Sequence, residues 1–548
     1  MFIIPESKKT VTIINDPDQL KQFYEQHKND VFIGYNSRHY DQYILKGLLL
    51  DMNPYDISHH IIAEQRQGWQ YSREFMNLQL YNFDIKTTLH SLKELEGFMG
   101  NDIQETSVSF DIDRQLTQEE IQEVVKYCKH DVEQTIEVFL HRKAEFDSQI
   151  QLIKAFNLPI KYISKTKAQL SSIILGASKK THNDEFNLKL PDTLILKKPE
   201  YQDIFMWYLN TDNHDYEKRQ EVFCSDVPHV FGWGGLHGAI EQYQAEGIII
   251  NMDVASYYPA LIIEYDYLSR NVSDPKKYRE IRDTRLKLKA EKNPMQNPYK
   301  IVLNSTFGAS KDKYNNLYDP LQANNICVAG QLLLLDLIEK LEGHWELIQS
   351  NTDGLIGKVN TMEEYEVIKT IAAEWESRTR MVLEFDIFKK IYQKDVNNYI
   401  IISADGKYKS KGAYVKKLNP IDNDLPIVNK ALVDYFTKCT PVEDTINSCD
   451  KLIMFQKITK LSYKYSHAMH GDKKLSEKCL RTFASKDDDP GVFKVKQDGK
   501  KEKIANTPEK CFIYNGDVND LRVPRKLDKQ WYINVAYERL SDFMGREL

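Results

Sequence analysis

The sequence predicts an α+β multidomain chain, and three observations carry that prediction. Its 548 residues exceed a single domain at roughly 100–200 residues each, so about three are expected. Strand-like and helix-like segments alternate over residues 1–150, the mark of an α/β layer. Beyond residue 246 an apolar strand pattern gives way to charged helical segments.

Taken in order, TVTII (11–15) alternates as a strand. DPDQLKQFYEQHKND (16–30) reads as a capped amphipathic helix, and VFIGYN (31–36) as a second strand. Residues 118–146 have helical period, while 151–230 give no clear pattern. FGWGGLHGA (231–239) is dense in glycine and predicts a tight loop or strand turn. EGIIINMDVASYYPALIIEYDYL opens as an apolar strand that breaks at an acid, Asp253. A charged helix is expected over 275–292 and another from Pro298. Asp274-Pro275 and Asn297-Pro298 supply their N-caps and first-turn prolines. In LIQSNTDGLIG (347–357) two apolar arms flank a polar tip, which predicts a hairpin holding Asp353 at its turn.

The formal net charge of −6 argues against a simple nucleic-acid coat, but the charge is unevenly spread. Residues 1–150 carry about 25 acids and 15 bases, and residues 451–510 about 15 bases and 8 acids. The basic stretch suits a phosphate backbone or a solvated lysine-rich surface. The 7 cysteines are scattered without a CxxC pair and read as reduced thiols in a cytoplasmic setting. No apolar run approaches the ~18 residues of a membrane span, and no secretory signal opens the chain.

The chemistry gathers at two acids. Asp253 ends the buried run GIIINMD, where an unpaired carboxylate costs several kcal/mol. Asp353 ends the arm ELIQSNT. Two such acids can share a pair of Mg²⁺ ions for phosphoryl transfer. Between them, Lys300, Asn304 and Gly308 recur every four residues in NPYKIVLNSTFGAS, with Phe307 beside them. One helix face therefore carries a cation, an amide, a ring and a glycine, a poor core face but a suitable nucleotide face. Upstream, YREIRDTRLKLK adds Arg279, Arg282, Arg285 and Lys289.

These residues resemble family B DNA polymerases. DVASYYP is similar to their DxxSLYP motif, KIVLNSTFG to KxxxNSxYG, and SNTDG to the DTDS turn. Arg285 and Lys289 match the RxxxK pattern ahead of the second motif. The resemblance spans essentially the whole chain and points to viral, phage-type replicases. It implies a right-hand polymerase of palm, fingers and thumb, preceded by an RNase H-like 3′–5′ exonuclease domain. On that plan residues 1–150 are the exonuclease-type domain and 151–245 a connecting region. The palm is 246–273 with 318–430, the fingers 274–317 and the thumb 431–548.

Residue by residue, the resemblance makes Asp253 and Asp353 the catalytic acids. They would bind two Mg²⁺ ions, with Mn²⁺ as an alternative and the Val254 carbonyl as a further ligand. Ser256, Tyr257 and Tyr258 would meet the incoming deoxynucleoside triphosphate, Tyr258 as the gate against a 2′-hydroxyl. Arg285, Lys289, Lys300, Asn304 and Phe307 complete the nucleotide site. Tyr399, Lys407, Lys411, Gly234 and Gly235 are expected on primer-template DNA. Other replication proteins are the remaining expected partners, no membrane is expected, and the setting implied is a host cytoplasm.

The departures are specific. Asn351 stands where the first acid of DTDS is usual, and Gly354 where serine is, a change expected to cost little. Phe307 replaces tyrosine, and Asn397 replaces the lysine of a KxY primer motif. In the N-terminal third, GYNSRHYD is similar to the NxxxFD motif through Asn36 and Asp41, and YCKHD to YxxxD through Tyr127 and Asp131. The opening DxE strand is absent with no replacement, so proofreading is expected to be impaired. The reading is a template-directed DNA polymerase serving viral DNA replication. The rival is a non-catalytic DNA-binding relic. A reverse transcriptase is excluded because Asn351-Thr352-Asp353 lacks the adjacent acids of YxDD.

Overall fold

The structure is a computed structural model that describes all residues except 6, 8, 109–111, 113 and 546–548. The chain is mixed α/β and forms two compact units. One comprises residues Met1–Ser164, Leu418–Val428 and Glu443–Asn534; the other comprises Lys165–Lys417, Asn429–Val442 and Val535–Leu548.

The first unit contains a parallel strand pair, Val31–Gly34 with Tyr81–Asp84, and an antiparallel pair, Phe2–Ile4 with Lys9–Val11. The strand expected over 11–15 thus ends where it was to begin. Only Lys9–Val11 finds a pairing partner, and Ile14 is 48% exposed. The helix Pro17–His27 forms as its cap predicts, with the Asp16 carboxylate accepting from the Gln19 amide. The helix expected over 118–146 is two helices, Gln118–His141 and Lys143–Ala155. They break at Arg142, whose buried guanidinium donates to the Ile85 carbonyl. A core of Ile85, Leu95, Phe98, Met99, Ile103 and Val138 is closed by Ile421, Ile458 and Cys479 from the later segments. Each fully buried aliphatic side chain there contributes about 1.5–3 kcal/mol.

The later segments of this unit form two small antiparallel sheets, of three and four strands. In the basic stretch many lysines are already paired. Lys496 meets Glu502, Lys510 meets Asp488, and Lys503 meets Glu509. Arg481 is fully buried, its guanidinium spread over the carbonyls of Gly97, Asn101 and Gly516. Burial pushes its pKa down to about 10.

The second unit is built on a nine-stranded antiparallel sheet. From one edge the order is Tyr408–Lys411, Asn398–Ile402, Leu383–Asp395, Tyr243–Val254, Gly354–Val359, Glu346–Asn351, His237–Ala239, Val227–Gly232 and Arg219–Cys224. The helix Pro320–Leu341 lies in the core, with Leu332 to Leu335 all inaccessible. By length and composition alone this helix is long and apolar enough to cross a membrane, which the sequence reading missed. In its apolar 18-residue window 94% is buried, as a core helix is. Helix Met362–Thr379 packs nearby through Trp375, whose indole N–H donates to the Leu333 carbonyl (3.1 Å).

The two helices expected after Asp253 form as Lys276–Ala290 and Gln296–Lys311. Asp274 caps the first, accepting from the Lys276 amide (3.1 Å). The second begins at Gln296, two residues before Pro298, with Met295 at its N-cap position and no capping side chain. In the turn just before it, Asn293 accepts from the Met295 amide (3.0 Å), so the expected Asn297 cap is not used.

Candidate functional site

Asp253 sits near the end of the central strand, with Gly354 opposite it on one neighbour and Glu384 on the other. Strands Glu346–Asn351 and Gly354–Val359 form the expected hairpin, with Thr352 and Asp353 at its tip. The Asp353 carbonyl accepts from the Val254 amide (2.7 Å), which ties the tip to the end of the Asp253 strand. Two acids a hundred positions apart in sequence are thereby brought to one sheet end.

They line a polar cleft of about 240 Å³, with Asn251, Gln349, Asn351, Thr352, Gly354, Ile356, Tyr399 and Lys411 as its other walls. Among the described residues neither carboxylate has an ion pair. The Asn251 amide donates to Asp253 (2.6 Å). Lys409, the cation that acts on Asp253, is itself paired with Asp386 (2.7 Å). Burial pushes the Asp253 carboxyl up, and Asp386 and Glu384 add to that. Burial pushes Asp353 up too, reinforced by the charge of Asp253 and opposed by Lys411. The pair, Asp253 half-buried and Asp353 exposed, is thus an anionic site short of cation.

Gly354 is not a neutral replacement. A Cβ there would lie 2.2 Å from Asp253 Oδ1 and 3.0 Å from the Met252 carbonyl. A side chain at 354 therefore requires the Asp253 carboxylate to turn.

After Asp253 the chain bends through Ser256, at φ +53°, into helix Tyr257–Glu264. The first amides of such a helix have no partner within it. The Tyr257 side chain lies in the core with its hydroxyl on the Gly330 carbonyl (2.7 Å), so only its main chain is free to meet a ligand. Tyr258 is half-buried, its ring 4.2 Å from that of Phe307. Lys300, Asn304 and Gly308 are exposed on one face of their helix, while Val302, Leu303, Thr306 and Ala309 face the core. Lys311 extends the exposed face and sits 5.0 Å over the Phe307 ring. The sequence reading passed over it, although it follows Phe307 by one turn.

Arg285 occupies an apolar position. Tyr278, Ile281 and Arg285 form the buried stripe of their helix, and Arg285 is 7% exposed. It reaches Ser256 Oγ (2.9 Å), and its Nε has no partner. Burial pushes its pKa down, because no carboxylate is bonded to it. Lys289, by contrast, is exposed, 3.8 Å from Glu384. Lys407 is 87% exposed, pairs with Asp405 (2.7 Å) and does not line the cleft, whereas Lys411 and Tyr399 do. Gly234 gives its carbonyl to Gln331 Nε2 (2.9 Å), and Gly235 lies against Thr352.

In the first unit, Asn36 and Asp41 follow the strand Val31–Gly34. Both come close to an acid the sequence reading missed, Asp84. Its two oxygens accept from the amides of Asn36 (2.9 Å), Arg38 (2.9 Å) and Lys86 (2.9 Å). The signal was present, since YNFD, like GIIINMD, is an apolar strand ending in an acid. Burial raises the Asp41 carboxyl, with Asp84 and Asp131 adding to it. Asp131 is already paired with Lys93, whose ammonium also lies 4.6 Å over the Tyr127 ring and 2.9 Å from buried Glu96. A second cleft, of about 340 Å³, is lined by Asn36, His39, Lys86, Thr87, Thr88 and Leu89.

No protein-family model and no curated protein matches the chain. Among solved structures, the chain is similar to the family B DNA polymerase from the hyperthermophilic archaeon Pyrobaculum calidifontis. The TM-score is 0.44 at 15% identity, over 96% of this chain and 71% of that one.

Proposed function

We propose that the chain is a template-directed DNA polymerase that adds deoxynucleotides to a primer 3′ end, in viral DNA replication. The observation that carries this reading is the Asp253–Asp353 pair, a half-buried and an exposed carboxylate at one sheet end with no ion pair among the described residues. The donors are hard oxygens, which suit Mg²⁺. Among the described residues no group of three or more His, Cys, Asp or Glu side chains forms a metal site. The remaining oxygens around an ion would therefore come from the Val254 carbonyl, water and substrate. When bound, Mg²⁺ supplies charge stabilisation for the attacking and leaving oxygens of phosphoryl transfer.

The chain's own residues account for the rest. Arg285, a buried cation with one unpartnered N–H, offers charge to a triphosphate near Ser256. The free amides after Ser256 offer donors to the same oxygens. Lys300 and Asn304 reach phosphate from the exposed helix face, and Tyr258 with Phe307 forms an aromatic floor that selects against a ribose. Tyr399 and Lys411 hold the primer end beside Asp353. The N-terminal acids serve no comparable chemistry in this reading. Lys93 neutralises Asp131, and main-chain amides occupy Asp84, so proofreading is impaired.

Primer extension on a labelled primer-template with Mg²⁺ and deoxynucleoside triphosphates tests this. Extension that is abolished by chelation is expected. No incorporation with either Mg²⁺ or Mn²⁺ would leave the chain a DNA-binding relic.

A further inference from the structure

Asp353 follows a strained residue. Thr352 has φ +59°, a region that β-branched residues avoid because the side chain crowds the neighbouring carbonyl. Such a conformation persists only where its surroundings impose it. The main chain is held on both sides. Thr352 N–H donates to the Leu236 carbonyl (2.7 Å), and Asp353 N–H to the Asn351 carbonyl (2.6 Å).

The side chain is held as well. Thr352 Oγ1 lies 3.3 Å from His237 Nε2, and His237 Nδ1 lies 3.1 Å from the Gly235 carbonyl. A carbonyl only accepts, so Nδ1 carries the proton and Nε2 of the neutral ring accepts from the threonine hydroxyl, whose other acceptor, Asn351 Oδ1, is farther at 3.5 Å. Burial favours that neutral ring. The fit is close, since a Cβ on Gly235 would stand 2.8 Å from Thr352 Oγ1. His237 also pairs in register with Asn351, so the ring is fixed to the strand that leads into the tip.

We propose that His237 is a positioning residue: by accepting the Thr352 hydroxyl it holds residue 352 in the left-handed conformation that presents the Asp353 carboxylate to the cleft. The inference deepens the polymerase reading and rests on it only for the consequence in rate. His237 touches neither acid and acts through Thr352 alone.

The test uses His237→Ala, and Thr352→Gly added to it, because glycine takes positive φ without a Cβ penalty. Crystal structures report the conformation at 352. Single-turnover extension separates the maximal incorporation rate from the apparent nucleotide Kd. In His237→Ala, Thr352 is expected to leave positive φ. The maximal rate should fall about tenfold or more and the apparent Kd change less than about threefold. Adding Thr352→Gly should restore the rate, which a general loss of stability would not allow. Should His237→Ala fail to fold, Thr352→Val, which removes only the hydroxyl, must reproduce the loss. A Thr352 that keeps its conformation without His237, or a double variant as slow as the single one, overturns the proposal. If the parent chain extends no primer, the polymerase reading fails, and the conformation of Thr352 alone then decides for or against His237.

Discussion

Asp84 and Asp253 each lie at or next to the end of a strand beside a second acid, yet the two sites are completed in different ways. Around Asp84 the chain supplies every partner. Three main-chain amides take its oxygens, and Lys93 bridges Asp131 and Glu96 nearby. Around Asp253 the chain supplies one amide, from Asn251, and leaves Asp353 without an ion pair among the described residues. At the first site main-chain amides satisfy Asp84 and Lys93 neutralises Asp131, although Asp41 has no ion pair among the described residues; at the second, the open site, neither acid is neutralised. Holding two carboxylates together without a cation is unfavourable, which makes the open site the candidate for function.

The sharpest break of this contrast is Asp253→Asn or Asp353→Asn. Either should lower single-turnover incorporation by several orders of magnitude, at least about 4 kcal/mol of barrier. Far-ultraviolet circular dichroism should be unchanged. Near-parental rates for either would remove that acid from the chemistry.

Next in size is the first site. Lys93→Met removes the cation from Glu96, which is fully buried with the His130 ring at 3.4 Å. Chemical denaturation should show a loss of about 3 kcal/mol. An unchanged midpoint would mean that Lys93 is incidental to that unit.

Asn351→Asp places an acid beside the open pair. The Asn351 amide donates to the Val396 carbonyl (3.3 Å), a bond a carboxylate cannot make. The expected change in incorporation rate is less than about tenfold, or roughly 1.4 kcal/mol. A thousandfold gain would mark the native turn as a crippled site.

The smallest effect concerns stability without metal. The Asp353 carboxyl is raised on folding. Between its unfolded and folded values the folded chain holds more protons, so stability falls as pH rises through that window and stays lower above it. At neutral pH, Asp353→Asn should slightly stabilise the metal-free protein, read as a higher melting temperature. Below the unfolded value, near pH 4, the gain should vanish. A lower melting temperature at neutral pH would mean that Asp353 is already compensated.

Much of the open site was legible because its residues obey local rules. Asp253 interrupts an apolar strand, Asp353 sits at a two-residue hairpin tip, and Lys300, Asn304 and Gly308 share one helix face. The first site was half legible. Asn36, Asp41, Tyr127 and Asp131 stood out, but Asp84 and Lys93 did not, since their importance comes from long-range pairing between segments distant in sequence. For the same reason sequence reading missed the fit of Gly354 against Asp253 and of His237 against Thr352. Neither a close approach nor a positive φ on threonine leaves a mark on spacing. Helix Pro320–Leu341 was hidden for another reason. It is buried nearly all round, so it has no polar face to give it a period.

One reaction tests the contrast most directly: a labelled primer-template bearing a mismatched 3′ end, with Mg²⁺, followed with and without deoxynucleoside triphosphates alongside a matched control. The account predicts lengthening of the matched primer that Asp353→Asn abolishes, and no shortening of the mismatched end without nucleotides. Shortening that Asp41→Ala abolishes, with no lengthening of the matched primer, would show that the cation-dependent chemistry belongs to the N-terminal acids and would contradict the account.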